Sequence, residues 1–147
     1  MLQKLWGLVG SSRLARSDFS KTESRQINEA LSRLVLGTPA VVRATVVTTG
    51  GLARGSFPPQ TEQDRISAMS AAMLSLGERI CNELGSGDMR YAIIAGDKTL
   101  QLLVVLSKDY VLELELRPNM SVDAVLNTVK ESAGPLLQAL GVEARIP

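Results

Sequence analysis

The stretch Leu100–Leu116, LQLLVVLSKDYVLELEL, carries the pattern that decides the fold. Its first part, Leu100–Leu106, is almost continuously apolar, which is typical of a strand buried on both faces. Its second part, Tyr110–Leu116, alternates strictly, so that Glu113 and Glu115 share the face opposite to the leucines. The three residues between these parts suffice only for a tight turn. The pattern therefore predicts two antiparallel strands joined as a hairpin.

The rest of the chain divides into further helices and strands by the same reasoning. Capping residues, glycines and prolines bound apolar segments with either helical or strand periodicity. The first predicted helix starts at the capping-box pair Ser20 and Glu23 and ends at Gly37, and the strands Ala40–Thr48 and Leu52–Phe57 follow it. A second helix runs from Thr61 to about Leu84 and precedes the strand Met89–Ala95. The last predicted helix is capped by Ser121, runs to about Leu140 and is kinked or shortened by Pro135.

The resulting order is α-β-β-α-β-β-β-α. Connections between strands within each group are of hairpin length, so we expect those strands to pair antiparallel. The fold class predicted is an α/β sandwich, with a five-stranded antiparallel sheet and helices on both faces. The cross-strand pattern also predicts that Arg43 forms an ion pair with Glu113 or Glu115, which we favour over a catalytic role for these carboxylates.

Composition excludes several function classes. The 147 residues include no histidine and one cysteine, Cys81, which excludes histidine-dependent catalysis and a cysteine-rich metal site. No phosphate-binding loop is present, because Gly51–Ser56 and Gly96–Thr99 lack its spacing. A net charge of +1 and 3% aromatic residues argue against nucleic-acid binding. We therefore predict a cytoplasmic protein that is not an enzyme and has no catalytic, cofactor-binding or metal-binding residues.

Residues 1–21 differ from the rest in charge, since they hold four basic side chains and one acidic side chain. Leu2, Leu5, Trp6 and Val9 have helical spacing, which would allow contact with a membrane or a partner. The glycines and serines that follow weaken a helix and favour instead a frayed N-terminal extension. We accordingly divide the chain into an extension, residues 1–21, and one domain, residues 22–147.

The predicted second helix has two unusual faces. Large apolar residues recur at helical spacing on one face, which we expect to pack on the sheet: Ile66, Met69, Met73, Leu76 and Ile80. Small residues fill the remainder, and no charge occurs between Arg65 and Glu78. A helix exposed to solvent would normally carry charged residues there. The small face therefore predicts self-association, with Ser67, Ser70, Ala71 and Leu74 in a homodimer interface.

Four segments together resemble the Roadblock family, named for dynein light chains and shared by bacterial regulators of Ras-like GTPases. They are LGTPAVVRATVVTTGGL at Leu36–Leu52, AAMLSLGERICNELGSGDMRYAII at Ala71–Ile94, LLVVLSKDYVLELEL at Leu102–Leu116, and SVDAVLNTVKES at Ser121–Ser132. The resemblance implies one helix on one face of the sheet and two on the other. It also implies homodimers in which second helices lie side by side and third strands pair at their edges, which adds Met89, Tyr91 and Ile93 to the interface.

The function that the resemblance implies is that of a non-catalytic homodimeric regulator or scaffold for a small Ras-like GTPase. Regulators of this type stimulate GTP hydrolysis without inserting an arginine finger. Polar residues near the ends of the second helix are the candidate contacts with such a partner: Glu62, Gln63, Arg65, Glu78 and Arg79. The alternatives are a purely structural dimerisation module of a larger signalling complex and a small-ligand sensor. The sensor is disfavoured because the sequence offers few convergent polar groups for a pocket.

Overall fold

Helices and strands follow one another in the predicted order, with one additional helix at the end. The computed structural model describes the backbone of residues 2–143 and the side chains of residues 20–143. The elements are α1 (Leu2–Gly37), β1 (Val41–Thr48), β2 (Ala53–Phe57), α2 (Gln63–Leu84), β3 (Tyr91–Ala95), β4 (Leu100–Val105), β5 (Tyr110–Leu116), α3 (Val122–Ser132) and α4 (Gly134–Leu140).

The five strands form one antiparallel sheet in the order β2-β1-β5-β4-β3, which confirms the predicted fold class. β1 and β5, distant in sequence, are neighbours at its centre. Their register places Arg43 opposite Glu115, and the Arg43 Nε lies 3.7 Å from Glu115 Oε2. The predicted cross-strand ion pair is therefore confirmed for Glu115.

The main hydrophobic core lies between one face of the sheet and the helices α1, α3 and α4. The alternating leucines of β5 point into it, together with Ile27 and Leu31 from α1 and Val125 and Val129 from α3. The other face of β5 lies under α2, where Leu74 packs on Leu103 and Val111. The helices therefore cover opposite faces, as predicted.

The starts of α3 and α4 both lie at residues that typically begin helices. The Ser121 hydroxyl accepts a hydrogen bond from the Ala124 amide at 3.3 Å, which confirms the predicted cap. Helix α3 ends at Ser132, and Pro135 lies in the first turn of α4, where its missing amide hydrogen costs no helical hydrogen bond. The one predicted helix is thus divided into two shorter helices near the proline.

Two predicted helix starts are wrong. α1 is continuous from Leu2, so Ser20 lies within the helix and not at its start. Glycine and serine each cost a helix at most about 1 kcal/mol, and no proline precedes Pro39 to interrupt it. Helix α2 begins at Gln63 rather than Thr61, with no side-chain hydrogen bond at its start. The apolar spacing within residues 1–19 concerns side chains outside the described residues, and the division at residue 21 stays a prediction.

Candidate functional site: the outer flank of α2, the β3 edge and the cavity between them

The small face of α2 lies against the chain's own sheet, which reverses the predicted orientation. Ser67, Ser70 and Leu74 are buried beneath the helix. The hairpin between β1 and β2 approaches closely as well, because a Cβ on Gly51 would lie 3.1 Å from the Ala68 Cα. Gly51 also has a φ of 92°, which favours glycine. Small side chains therefore serve close packing within one chain here.

The large apolar stripe of α2 is consequently exposed, and the prediction that it packs on the sheet is wrong. Met69 is 63% exposed and Leu76 54% exposed. Of the predicted stripe, Ile66 is half-buried, and the exposed members are Met69, Met73, Leu76 and Ile80; Leu84 extends the exposed stripe by one further turn. Methionine, leucine and isoleucine along four turns of an exposed helix form a contiguous apolar surface. Such a surface is typical of a protein–protein interface.

β3 is an edge strand that continues this apolar surface through Ile94 and is apolar on its other face as well. Ile94 lies on the same face of the sheet as α2, because it pairs with Gln101, and both line the cavity under that helix. Tyr91 and Ile93 lie on the opposite face and are also exposed. The strand, YAIIA, contains neither a charge nor a proline to discourage pairing with another strand. We refer to the exposed stripe of α2 together with Tyr91, Ile93 and Ile94 as the apolar seam.

The other edge strand, β2, is protected in ways that β3 is not. It carries Arg54, whose guanidinium pairs with Glu23 on α1, and Pro58-Pro59 follows it directly. Its pairing with β1 is also irregular between Val46 and Val47. Proline, charge and irregular pairing are devices that prevent edge-to-edge association. Of the two sheet edges, β3 is therefore the one suited to pair with another chain.

The predicted dimer-interface residues divide into three groups by exposure. Ser67, Ser70 and Leu74 are buried within the chain and are removed from that surface as a correction. Ala71 and Met89 are partly buried, and Met89 lies over Gly77, where a Cβ would approach its Sδ to 2.7 Å. Tyr91 and Ile93 are exposed on the edge strand and remain available to a second copy.

The predicted partner contacts are not all available either. Glu62 and Arg65 are exposed and pair with each other at 3.2 Å near the start of α2. Gln63 instead turns inward and donates a hydrogen bond to the Ser67 Oγ at 3.0 Å, so it is removed from the contact surface. Glu78 and Arg79 are exposed near the far end of the helix. The candidate contacts therefore lie in two groups, about 20–25 Å apart by the rise of a helix.

A cavity of about 370 Å³ opens between the N-terminal half of α2 and the sheet. Its apolar wall includes Ile66, Met69, Met73, Ile94 and Leu103, and its polar floor includes Arg43, Thr45, Gln101, Glu113 and Glu115. The floor residues come from three different strands, β1, β4 and β5, that are neighbours only in the folded sheet. The expectation that few polar groups converge is therefore wrong.

Glu113 is the most unusual group of the cavity floor. Its residue is only 7% exposed, and its Oε2 accepts a hydrogen bond of 2.9 Å from the Ser70 hydroxyl. Burial raises the pKa of this carboxyl; the Ser70 hydrogen bond opposes the rise and the nearby Glu115 charge adds to it. The alternation of β5 could have indicated a buried carboxyl here, but only the placement of α2 shows which glutamate it covers.

The described part of the chain holds neither a cluster of metal-binding side chains nor a helix that could span a membrane. Across residues 20–143, no three histidine, cysteine, aspartate or glutamate side chains come together as metal ligands would. No described helix combines the length and the hydropathy needed to cross a membrane.

A family comparison covers the segment that carries the apolar seam. The family model described as Roadblock/LC7 domain matches residues 27–112, which include the whole of α2 and β3. The chain belongs to the Roadblock/LC7 domain family. This confirms the resemblance inferred from the sequence. No curated protein sequence matches the chain.

Solved structures support the Roadblock/LC7 fold. A Roadblock/LC7 domain from Streptomyces avermitilis superposes with a TM-score of 0.71 at 18% identity, covering 78% of this chain and 98% of that one. MglB from Myxococcus xanthus superposes with a TM-score of 0.68 at 15% identity, covering 78% of this chain and 94% of that one. The gliding protein MglB from Thermus thermophilus superposes with a TM-score of 0.67 at 14% identity, covering 80% of this chain and 90% of that one. At these identities the likeness establishes the fold of this Roadblock/LC7 domain.

Proposed function

We propose that this Roadblock/LC7 domain is a homodimeric, non-catalytic regulator or scaffold of a small Ras-like GTPase. The observation that carries the proposal is the apolar seam, which joins the exposed stripe of α2 to an unprotected edge strand. An exposed surface of this kind is stabilised by covering it. A second copy covers it with the same residues, since a two-fold axis makes the interface self-complementary.

The edge strand makes a second copy a better occupant than an unrelated helix. β3 pairs on one side only, with β4, and its outer backbone groups face no described strand. Antiparallel pairing with β3 of a second copy would satisfy those groups and bring two apolar stripes together. One MglB structure is itself described as having a tetrameric arrangement, which supports self-association in a protein of the same fold.

Light scattering of matched charge variants tests the dimer. Leu76→Glu places a charge in the apolar seam and is expected to reduce the mass from twice 15.8 kDa to 15.8 kDa. Ser75→Glu places the same charge one residue earlier, about 100° around the helix, and is expected to leave the dimer intact. A dimeric Leu76→Glu protein would contradict the proposed interface.

The GTPase partner rests on the family and on the exposed charges beside the apolar seam. Glu62 and Arg65, which pair with each other at one end of α2, and Arg79 at the other end are exposed and can contact a partner, as the polar rim of an interface does. A regulator that contributes no reacting group can act by ordering the partner's own switch loops. A scaffold would bind the GTPase in the same way but would leave its rate of GTP hydrolysis unchanged, whereas a regulator would change that rate.

Binding to Ras-like GTPases in two nucleotide states tests the partner class. The purified dimer is offered to a panel of such GTPases loaded with GDP or with a non-hydrolysable GTP analogue. Nucleotide-dependent binding is expected for at least one, and Arg65→Glu together with Arg79→Glu is expected to weaken it. A dimer that binds none of them in either state would contradict the regulator proposal and leave the dimer assignment standing.

A further inference from the structure

The free edge of β3 determines which backbone groups a second copy can meet. Arg90 O accepts a hydrogen bond from the Val105 amide at 3.0 Å, and the Gly96 amide donates one of 3.0 Å to Thr99 O, so these residues direct their backbone groups toward β4. Backbone groups alternate in direction along a strand, and every second residue therefore faces the free edge. These residues are Tyr91, Ile93 and Ala95.

The position of α2 fixes how a second copy can approach this edge. Two apolar stripes meet only if both α2 helices lie on the same face of the joined sheet. This requires a two-fold axis perpendicular to the sheet, which makes the two β3 strands antiparallel. Opposite residues of antiparallel strands share a face of the sheet, so one residue of β3 must lie opposite its own copy.

Pairing about Ile93 is the register that uses the whole strand. β3 has five residues, and Ile93 is the central one. With Ile93 opposite its own copy, Tyr91 lies opposite Ala95 of the second copy, and all the residues that face the free edge form hydrogen-bonded pairs. Pairing about Ala92 or Ile94 leaves one of them without a partner in the other β3.

Charged residues at the two ends of β3 favour the same register. Asp88 and Arg90 precede the strand, and Asp97 and Lys98 follow it. All four side chains are exposed, and none belongs to an ion pair within residues 20–143, whose side chains the structure describes. Pairing about Ile93 places Asp88 opposite Lys98 of the second copy, and it places Arg90 beside Asp97 of that copy. Acids thus meet bases at both ends of the joined strands.

The neighbouring registers lack this charge match. Pairing about Ile94 places Arg90 opposite Lys98, where like charges repel. Pairing about Ala92 places Arg90 opposite Ile94, which is apolar. In that register Asp88 is also out of line with Lys98 by two residues. Hydrogen bonding and charge therefore select pairing about the same residue of β3.

We propose that β3 pairs antiparallel with β3 of a second copy about Ile93, with Asp88 of each copy bound to Lys98 of the other. The charge order is self-complementary, so it favours a second copy of this chain over a Roadblock/LC7 domain whose strand ends carry other charges. The inference rests on the proposed homodimer and specifies its register. These charged residues are distinct from the polar residues of α2 proposed to contact the GTPase.

Exchange of the two charges tests the ion pairs. Lys98→Glu places acids opposite each other in a dimer, and Asp88→Lys places bases opposite each other. Each variant alone is expected to raise the dissociation constant of the dimer about fivefold or more, because both symmetry-related contacts become repulsive. Mixing the two variants, one of them isotopically labelled, restores attraction at both contacts. Native mass spectrometry should therefore show more heterodimer than random mixing gives.

Lys130→Glu is the matched control for this exchange, since it makes the same change of charge at an exposed position on α3. A mixture of Lys130→Glu with Asp88→Lys is expected to show no preference for the heterodimer. Salt at about 1 M should remove the preference of the Lys98→Glu mixture. Random mixing of Lys98→Glu with Asp88→Lys at low salt, or the absence of dimers in that mixture, overturns the proposed ion pairs.

Disulfide cross-linking tests the register itself. Cys81→Ala removes the one native cysteine, and single cysteines then replace Ala92, Ile93 or Ile94 and are oxidised with copper–phenanthroline. A residue opposite its own copy in a hydrogen-bonded pair has a Cα separation of about 5.5 Å, which a disulfide can span. Ile93→Cys should therefore cross-link most. A maximum at Ala92→Cys or Ile94→Cys, or no cross-linking at any of the three, overturns the register.

The mass of the wild-type protein separates this proposal from the proposed function. A wild-type dimer whose variants mix at random and do not cross-link best at Ile93→Cys keeps the homodimer and rejects the register. A wild-type monomer overturns the homodimer and the register together. A dimer with the expected cross-link that binds no GTPase supports the register and contradicts the regulator proposal alone.

Discussion

The Ser70 hydroxyl on α2 donates a hydrogen bond of 2.9 Å to Glu113 Oε2 on β5. This contact joins the helix to the sheet where their interface is polar, whereas Leu74, one turn later, joins them through apolar packing. The helix is therefore held by two different kinds of interface along its length. The rotation that buries Ser70 is the same rotation that exposes Met69 and Met73.

Glu113 should make the folded protein less stable as the pH rises. Because its pKa in the folded state lies above the ordinary 4.5, the folded state binds this proton more tightly than the unfolded state. Its contribution to stability is complete below 4.5 and is lost as pH rises through the folded-state pKa. Glu113→Gln should match the wild type near pH 4 and exceed its free energy of unfolding at pH 8.

Urea denaturation of both proteins across that range measures the difference. Glu131→Gln is the control, and its difference from the wild type should stay nearly constant with pH. If the free energy of unfolding of the wild type instead rises relative to that of Glu113→Gln between pH 5 and 8, the folded protein stabilises the charged carboxylate. That result would contradict the raised pKa.

Two glycine-to-alanine changes should have opposite signs. A Cβ at Gly55 would lie 2.7 Å from both Ile27 Cγ2 and Asn28 Oδ1, so Gly55→Ala forces α1 away from β2 and should cost about 1–3 kcal/mol. A Cβ at Gly37 meets nothing within 4 Å, so Gly37→Ala should stabilise by about 0.4–1 kcal/mol. Chemical denaturation measures both, and a stabilising Gly55→Ala would contradict the close helix–strand contact.

The Arg43–Glu115 pair should contribute only modestly to stability. Both side chains remain partly exposed, at 23% and 27%, so a double-mutant cycle with Arg43→Met and Glu115→Gln should give a coupling of about 0.2–1 kcal/mol. Salt at about 1 M should reduce it. The more exposed pair Arg65 and Glu62 is the comparison and should couple less. A coupling that is larger for the exposed pair would contradict this account.

Neither Arg54 nor Arg79 should act as an arginine finger on the proposed GTPase partner. Arg54 is held by Glu23, and Arg79 is an exposed side chain beside the C-terminal half of the apolar stripe of α2. Arg54→Ala and Arg79→Ala should each change the partner's stimulated GTP turnover by much less than the roughly thousandfold effect of a missing finger. Single-turnover hydrolysis measures this, and a thousandfold loss in either variant would overturn the mechanism.

Local sequence pattern was enough to predict the sheet and most element boundaries. The alternation of Tyr110–Leu116 assigned each β5 side chain to a face. The centre of β4, Leu102–Val104, is buried as expected, whereas Leu100, Gln101 and Val105 are partly buried. Pro135 and Ser121 marked the ends of the last helices. These signals act over a few residues, because strand alternation, proline geometry and capping are properties of the local backbone.

The sequence by itself determined the strands, their hairpins and the identity of the family, since each depends on neighbouring residues or on the order of motifs. Only the tertiary structure decided which face of α2 is buried, because both faces have helical spacing and the choice depends on the sheet beneath. That sheet presents the polar side chains of Thr45, Glu113 and Glu115 to α2. Small polar residues such as Ser67 and Ser70 can approach these side chains closely, and Ser70 donates a hydrogen bond to Glu113, whereas a methionine there would donate none. The cavity, the buried carboxyl and the apolar seam all follow from that rotation.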